Sequence, residues 1–414
     1  MDQERIPMLE KLIETTKRTH FEQYGVKPKW CVAAPGRVNL IGGHTDYNDG
    51  FVFPLAIERY TVICASEAPH RDDAGVFSVN KGFGVSIDIA APFTLPHKNR
   101  WWNYVQGVVA ICAEHDVNVN PFEATIQSNV PLSGGLSSSA SFEVAGATLI
   151  EAMTGQTLDP VRKALICQRA EHLYARVPCG IMDQFISTMG QEGYAMLLDC
   201  RTKTPTMIPF DDPAVAVLIV NSGIKHALGS NEYPERRRQC YRAAEMLGLS
   251  SLRDATMPIL DAAVDSGVFK FEREDELCYR RAKHVITENK RTTDMAEAMK
   301  QKDWQACGEL MYASHESMRD DFQISCKEID FLVETAKKTR GVIGSRLTGN
   351  GFGGCMVSLV ESDQAETIYA VVSEAYTKQT GLKPTCFVTR PARGASNLSA
   401  SVTEKQKPER TETK

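Results

Sequence analysis

Two glycines and three consecutive hydroxyls mark Pro131-Leu-Ser-Gly-Gly-Leu-Ser-Ser-Ser-Ala-Ser141. The run follows an alternating stretch at 124–130 and precedes Phe142, Ala145, Leu149 and Met153 at helical spacing. Amides freed by Gly134 and Gly135, the hydroxyls of Ser137, Ser138 and Ser139, and a helix start together make an anion cradle. The first N–H groups of a helix lack internal acceptors and carry the positive end of its dipole. Phosphate is the matching guest. The structural alternative is a Ser/Gly turn that only caps a helix, because Ser is a favoured N-cap. No G-x-x-x-x-G-K-[ST] occurs in the chain, so a phosphate loop here is not of the Walker design.

Arg37, His44, Asp46 and Asn48 gather in the turn-rich stretch after the apolar run that starts at Trp30. Arg donates, Asp accepts and His does either, a set suited to a polyhydroxylated ligand. A surface turn held by local Asp and Asn bonding is the competing account. Asp183 and Gln184 lie inside an otherwise apolar helical stretch. Buried Asp is rare unless paired or functional, so Asp183 is half of a salt bridge or a working carboxylate, and with Arg37 available both descriptions hold together. Trp101 opens another helical stretch and suits either the core or stacking on a purine. Gly349, Gly351 and Gly354 satisfy G-x-G-x-x-G, but residues 355–360 after them read as a strand, not the helix that a dinucleotide site needs. These glycines are expected to let a backbone turn press close to a bound anion.

The elements that must position these groups follow from periodicity. A helix is expected over 8–24, with Leu9, Leu12, Ile13 and Phe21 on one face and Gly25 as its stop. Strands are expected from Trp30 and at 51–57, 60–65, 194–200 and 214–220, with a polar, irregular segment up to about residue 98. Helices are expected over 101–114 and 156–177, and long charged helices through 280–286 and 314–322. The polar run 201–204 divides the chain into domains at 1–200 and 201–394, and residues 395–414 read as a disordered tail.

Composition narrows the class. A chain of 414 residues with 43% hydrophobic and 24% charged residues can bury a large core in two domains or two lobes. Its formal net charge of -5 supplies no general affinity for nucleic acid. The densest basic run, Arg236-Arg237-Arg238, reads as a solvated helix start. Twelve cysteines scattered without C-x-x-C pairs argue against a disulfide framework or structural zinc and for a reduced, cytoplasmic setting. The charged start is unlike a signal peptide, and no segment has the apolar length of a membrane span.

Three separated stretches now stand together: Ala34-Pro-Gly-Arg-Val-Asn-Leu-Ile-Gly-Gly-His-Thr-Asp-Tyr-Asn48, the 131–141 loop and Leu347-Thr-Gly-Asn-Gly-Phe-Gly-Gly354. In this order they resemble the three signatures of the GHMP small-molecule kinases. With Cys179-Gly-Ile-Met-Asp-Gln-Phe185, Ser314-His315 and Arg319-Asp-Asp-Phe322, the chain is similar to the galactokinase family within them. The resemblance implies an α+β, two-lobed GHMP kinase fold with the active site in the cleft between lobes. It also implies transfer of the ATP γ-phosphoryl group to the C1 hydroxyl of a galactose-like monosaccharide.

By matching position, the resemblance makes Asp183 the carboxylate facing that hydroxyl and Arg37 its cationic neighbour. It gives Gly134, Gly135, Leu136, Ser137, Ser138 and Ser139 to the ATP phosphates, Trp101 and Tyr104 to the adenine, and Ser139 with Glu171 to Mg²⁺. Arg37, Gly43, His44, Asp46, Gly180, Asp183 and Tyr233 fall at sugar-contacting positions. The pattern departs at Gly43, where the family has a Glu that holds the sugar's C6 hydroxyl, and mildly at Asn350, where it usually has Gly. Losing the carboxylate removes one anchor and some volume, so the site is expected to tolerate change at C6. Two alternatives stay open on sequence alone: a GHMP kinase for a uronic acid or amino sugar, and a non-catalytic sugar sensor. The retained Ser139-Ala140 step argues against the sensor.

Overall fold

The computed structural model describes residues 6–132, 134–225, 232–270 and 272–399. In chain order the first half comprises α1 (Ile6–Tyr24), β1 (Trp30–Asn39), β2 (Phe51–Val52), β3 (Pro54–Glu67), β4 (Ala74–Ser78), β5 (Phe83–Ile87), α2 (Asn103–Ala113), β6 (Phe122–Ser128), α3 (Ser138–Thr154), α4 (Pro160–Ala170), α5 (Met182–Met189), β7 (Tyr194–Asp199) and β8 (Thr204–Pro209). The second half comprises β9 (Val215–Lys225), α6 (Glu232–Met246), α7 (Met257–Asp265), α8 (Arg273–Lys300), α9 (Trp304–Asp320), α10 (Lys327–Lys337), β10 (Val342–Thr348), β11 (Gly353–Glu361), α11 (Ala365–Thr380), β12 (Thr385–Thr389) and β13 (Ser396–Asn397).

Period-two alternation along β1 and β3 decides the first layer. Val32, Ala34, Ile63 and Ala65 pack under α2, α3 and α4, whereas Cys31, Ala33, Val62 and Cys64 face α1. The sheet has strand order β13-β1-β3-β6-β4-β5. A second sheet, β10-β11-β9-β12, follows the same rule. Leu218, Val220, Leu347 and Met356 face the helical core of the second half, while Val217, Ile219, Val357 and Leu359 face the other way. That second face packs with Val38, Leu40, Leu55 and Ile57, so one apolar cluster welds the two halves together. The arrangement is the expected α+β fold, and the chemistry-bearing loops open where the halves meet.

Several local expectations are corrected. Two strands were expected at 51–57 and 60–65, yet β3 runs unbroken over Pro54–Glu67 after the short β2. The segment expected to be irregular holds the β4–β5 hairpin at the sheet edge. Phe21 is 51% exposed, and the buried face of α1 uses Thr16 and His20 beside Leu12. Helix α4 begins at Pro160, capped by the Asp159 side chain, rather than at Gln156. The polar tail does not begin at Ala395: Ser396 and Asn397 pair with Ala33 and Val32, and Leu398 N–H donates to Cys31 O at 2.8 Å. Residues 400–414 lie outside the described residues. The division expected at 200/201 falls inside the β7–β8 hairpin, and β13 returns to the first sheet. Among the described residues no helix is long and apolar enough to cross a membrane.

Candidate active site

A bulge in β1 aims the first functional side chain. The β1–β3 register shifts between Pro35 and Arg37, and a Cβ at the intervening Gly36 would lie 2.7 Å from Leu136 O. Only glycine lets that carbonyl approach, and the Arg37 N–H donates to it at 3.1 Å. Arg37 is 2% exposed and reaches Asp183 in the first turn of α5, with Nε on Oδ1 and Nη2 on Oδ2, both at 2.7 Å. Its Nη1 donates to Gly135 O. Residues 146 apart in sequence thus form a bidentate pair, the strong planar geometry of guanidinium and carboxylate. The two readings left open for Asp183 are joined: it is paired, and it faces a cavity of about 430 Å³ that Arg37, Ser139 and Glu171 also line.

The Ser/Gly loop enters α3 beside this pair. Ser137 is the N-cap residue but caps nothing, and its hydroxyl donates to Asp183 Oδ2 instead. The Ser137 side chain thus leaves the first N–H groups of α3 uncapped, as an anion cradle requires. The glycines make a contact within the protein as well, and Gly349 also lines the cavity. A Cβ on Gly349 would lie 2.8 Å from Gly135 Cα, so the two glycine loops press on each other, backbone to backbone. Leu136 is 1% exposed in the shared core, so only its main chain is available to a nucleotide.

Ser139, in the first turn of α3, meets the Glu171 carboxylate, which sits on a π-helical turn after α4. Burial pushes Glu171 up to about 7; hydrogen bonds from Cys179 and Ser139 oppose this, and the Asp183 charge adds to it. Gln184 Nε2 donates to Glu171 Oε2 at 2.7 Å and to Glu143 Oε2 at 3.0 Å, holding both carboxyls from behind. Ser139 and Glu171 are hard oxygen donors facing the cavity, which fits a magnesium ion that keeps waters and phosphate oxygens as its other ligands. Among the described residues no group of three or more His, Cys, Asp and Glu side chains is arranged to hold a metal by itself.

In the wall of the same cavity, Asp46 lies against Gly180: a Cβ on Gly180 would fall 1.5 Å from Asp46 Oδ2. Burial, reinforced by the Asp183 charge, raises the Asp46 carboxyl to about 6. Tyr233 closes this wall with its ring 5.5 Å from those of His44 and Tyr47. His44 has a left-handed backbone, φ 61°, and burial, with nearby His284 adding to it, lowers its imidazole to about 3. Its Nε2 lies 3.2 Å from the Asn350 carbonyl, which can only accept, so Nδ1 accepts from Tyr47 Oη at 2.8 Å. Both ring nitrogens are engaged. His44 orders the loop through both contacts and also lines the cavity.

If Asp46 holds sugar hydroxyls as a carboxylate, its high pKa has a kinetic signature. Protonation exchanges a charged acceptor for a neutral one, so the KM for sugar is expected to rise about tenfold as pH falls from 7 to 5. Asp46→Asn, uncharged throughout, should flatten that limb. Initial rates against sugar concentration at several pH values check this, and an unchanged KM in the native protein would refute it.

Gly43 lines the cavity, and its backbone is pinned from below: its N–H donates to Glu288 Oε1 at 3.1 Å, and its carbonyl lies 3.0 Å from His284 Nε2. The volume expected to be free there is not empty. A Cβ would meet Arg346 Nη2 and Met318 Sδ, each at 2.9 Å, because those side-chain ends occupy the space. Trp101 and Tyr104 do not line the cavity. Trp101 stacks edge-on against Phe83, Trp102 and Phe142, and Tyr104 against Phe142, at the rim of the first core. Asn99, next to them in the chain, does line it. The reading of the sequence passed over Asn39 and Glu143, and it noted Gln184 and Asn350 without giving either a role in the site. Asn39 was within reach, because it stands two residues after Arg37 on the same strand face.

Family models match three parts of the chain: a galactokinase galactose-binding signature over residues 18–67, the GHMP kinase N-terminal domain over 103–191 and the GHMP kinase C-terminal domain over 295–378. Human galactokinase is 43% identical over 402 residues, covering 95% of this chain and 98% of that protein. The chain belongs to the galactokinase family. Dog galactokinase is 42% identical over 406 residues, with the same shares of each chain covered. The crystal structure of Lactococcus lactis galactokinase complexed with galactose superposes with a TM-score of 0.86 at 30% identity, covering 92% of this chain and 98% of that one. Mevalonate kinase from Methanococcus jannaschii, at 19% identity and a TM-score of 0.63, shares the fold.

Proposed function

We infer that this member of the galactokinase family transfers the γ-phosphoryl group of ATP to the C1 hydroxyl of galactose, giving the sugar 1-phosphate and ADP. The observation that carries the reading is the bidentate Arg37–Asp183 pair set against the Ser/Gly loop in a cavity of sugar size. A bond forms between the C1 oxygen and the γ-phosphorus, the bond from that phosphorus to the β–γ bridging oxygen breaks, and its electrons leave with ADP. The proton of the C1 hydroxyl passes to Asp183. Arg37 fixes the carboxylate plane and offsets negative charge near the phosphoryl oxygens. Because such transfers are loose, holding the reacting atoms in line contributes more than proton removal.

The N–H groups opening α3 and the hydroxyls of Ser138 and Ser139 face the phosphates in this reading, with Trp101 and Tyr104 towards the base. Ser139 and Glu171 would hold Mg²⁺, which when bound neutralises phosphate charge. Asp46, Gly180 and Tyr233 shape the sugar wall, and the buried, reduced thiols suit a cytoplasmic protein. High identity to galactokinases over nearly the whole chain does not favour a kinase for a uronic acid or amino sugar, or a silent sensor. At the C6 end, Arg346 and Met318 stand behind Gly43 where the family has a carboxylate.

ADP release with Mg-ATP tests the reading. Galactose is expected to support turnover and glucose not. Galactose and 6-deoxygalactose should differ less than about tenfold in kcat/KM, since the charged C6 acceptor is missing. Absence of ADP formation with galactose would overturn the assignment.

A further inference from the structure

Ser137 stands between the glycines and α3 with φ 57° and ψ 51°, a left-handed backbone disfavoured for a residue that carries a Cβ. It is 8% exposed. A serine at a helix N-cap ordinarily turns its hydroxyl onto the N–H groups of the first turn. Here that bond is absent, and the hydroxyl points across to Asp183 Oδ2. Unfavourable backbone geometry at a site residue, exchanged for one specific side-chain contact, is a pattern associated with function.

Counting acceptor positions on Asp183 gives the consequence. An ionised carboxylate offers about four lone-pair sites, two on each oxygen. Oδ2 receives Arg37 Nη2 and the Ser137 hydroxyl, which fill it. Among the described residues Oδ1 receives Arg37 Nε alone. Building on the assignment of Asp183 above, we propose that Ser137 is a positioning residue for phosphoryl transfer. Its hydroxyl saturates Oδ2 and fixes the carboxylate so that Oδ1, with one acceptor position open, takes the proton of the sugar's C1 hydroxyl. The same residue joins the phosphate loop to the proton acceptor, so the two reactants' sites are held in register by a single side chain.

Ser137→Gly removes the hydroxyl and accommodates the left-handed backbone. Ser137→Ala removes it and keeps the strain. Both are expected to lower kcat about tenfold or more while the KM for galactose and the ATP dissociation constant stay within about threefold. The two variants should agree in kcat even if they differ in Tm, which separates loss of the hydroxyl from a change in the backbone. In an Asp183→Asn background, adding Ser137→Gly should change the residual rate by less than about threefold, because the shared contact is already broken.

A raised ATP dissociation constant with kcat intact would overturn the proposal and make Ser137 a phosphate contact. The same fold-loss from Ser137→Gly with and without Asp183 would overturn it too. If Asp183→Asn keeps near-native turnover, the underlying assignment of Asp183 fails. If that variant is inactive while Ser137→Gly turns over normally, only the proposal for Ser137 fails.

Discussion

Asp183→Asn is expected to lower kcat by about 10³-fold, ~4 kcal/mol at 1.36 kcal/mol per decade, while ATP affinity changes less than about threefold. The substitution keeps the volume of the side chain and removes half of its acceptors. Arg37 presents two donors at 2.7 Å and Ser137 a third, so an amide NH₂ in place of either oxygen meets a donor with a donor. The side chain then turns, and the C1 hydroxyl loses both its proton acceptor and its alignment with the γ-phosphorus. Nucleotide binding rests on the α3 start and its loop, which the substitution leaves in place. Single-turnover rates and ATP titration calorimetry check the two halves separately. Turnover within tenfold of the native protein would refute the role given to Asp183.

Sequence reading reached this pair because its signal was local. A carboxylate in an apolar helix asks for a partner, and Arg37 was the available cation, although it was read in the turn-rich stretch and lies in β1. The contribution of Ser137 was not legible, since it depends on the sign of one backbone torsion rather than on residue type. Glu143 and Glu288 escaped notice for a related reason. Carboxylates on helices read as solvated faces until tertiary packing buries them, and both are 0% exposed here. The β4–β5 hairpin was missed because β5, at a sheet edge, is mostly exposed and carries little apolar alternation. The two-residue β13 pairs through its backbone alone, which no side-chain pattern announces. The press of Gly349 on Gly135 joins loops more than 200 residues apart, so the glycines signalled a close approach, read as one to an anion, but not the second glycine loop that also meets it.

Gly180→Ala should be nearly as damaging to sugar use as the loss of Asp183 is to turnover, although alanine adds one methyl group. That methyl would fall 1.5 Å from Asp46 Oδ2 and 2.1 Å from Asp46 Cγ, inside the carboxylate rather than beside it. Asp46 has little freedom to retreat: Oδ1 accepts the Tyr47 N–H at 3.0 Å, and Tyr233 packs against Tyr47 beyond it. The loop carrying residue 180 must move instead, and it leads directly into the turn of α5 that holds Asp183. Displacing Asp46 forfeits one or two charge-assisted hydrogen bonds to the sugar, about 1.5–3 kcal/mol each, so kcat/KM for galactose is expected to fall at least about a hundredfold. ATP affinity is expected to hold, because neither Asp46 nor Gly180 belongs to the Ser/Gly loop or to the start of α3. Asp46→Ala in the Gly180→Ala background separates steric from chemical loss: it relieves the overlap, so it should raise thermal stability without restoring sugar affinity. If Gly180→Ala binds galactose as the native protein does, Asp46 and Gly180 do not form the sugar wall.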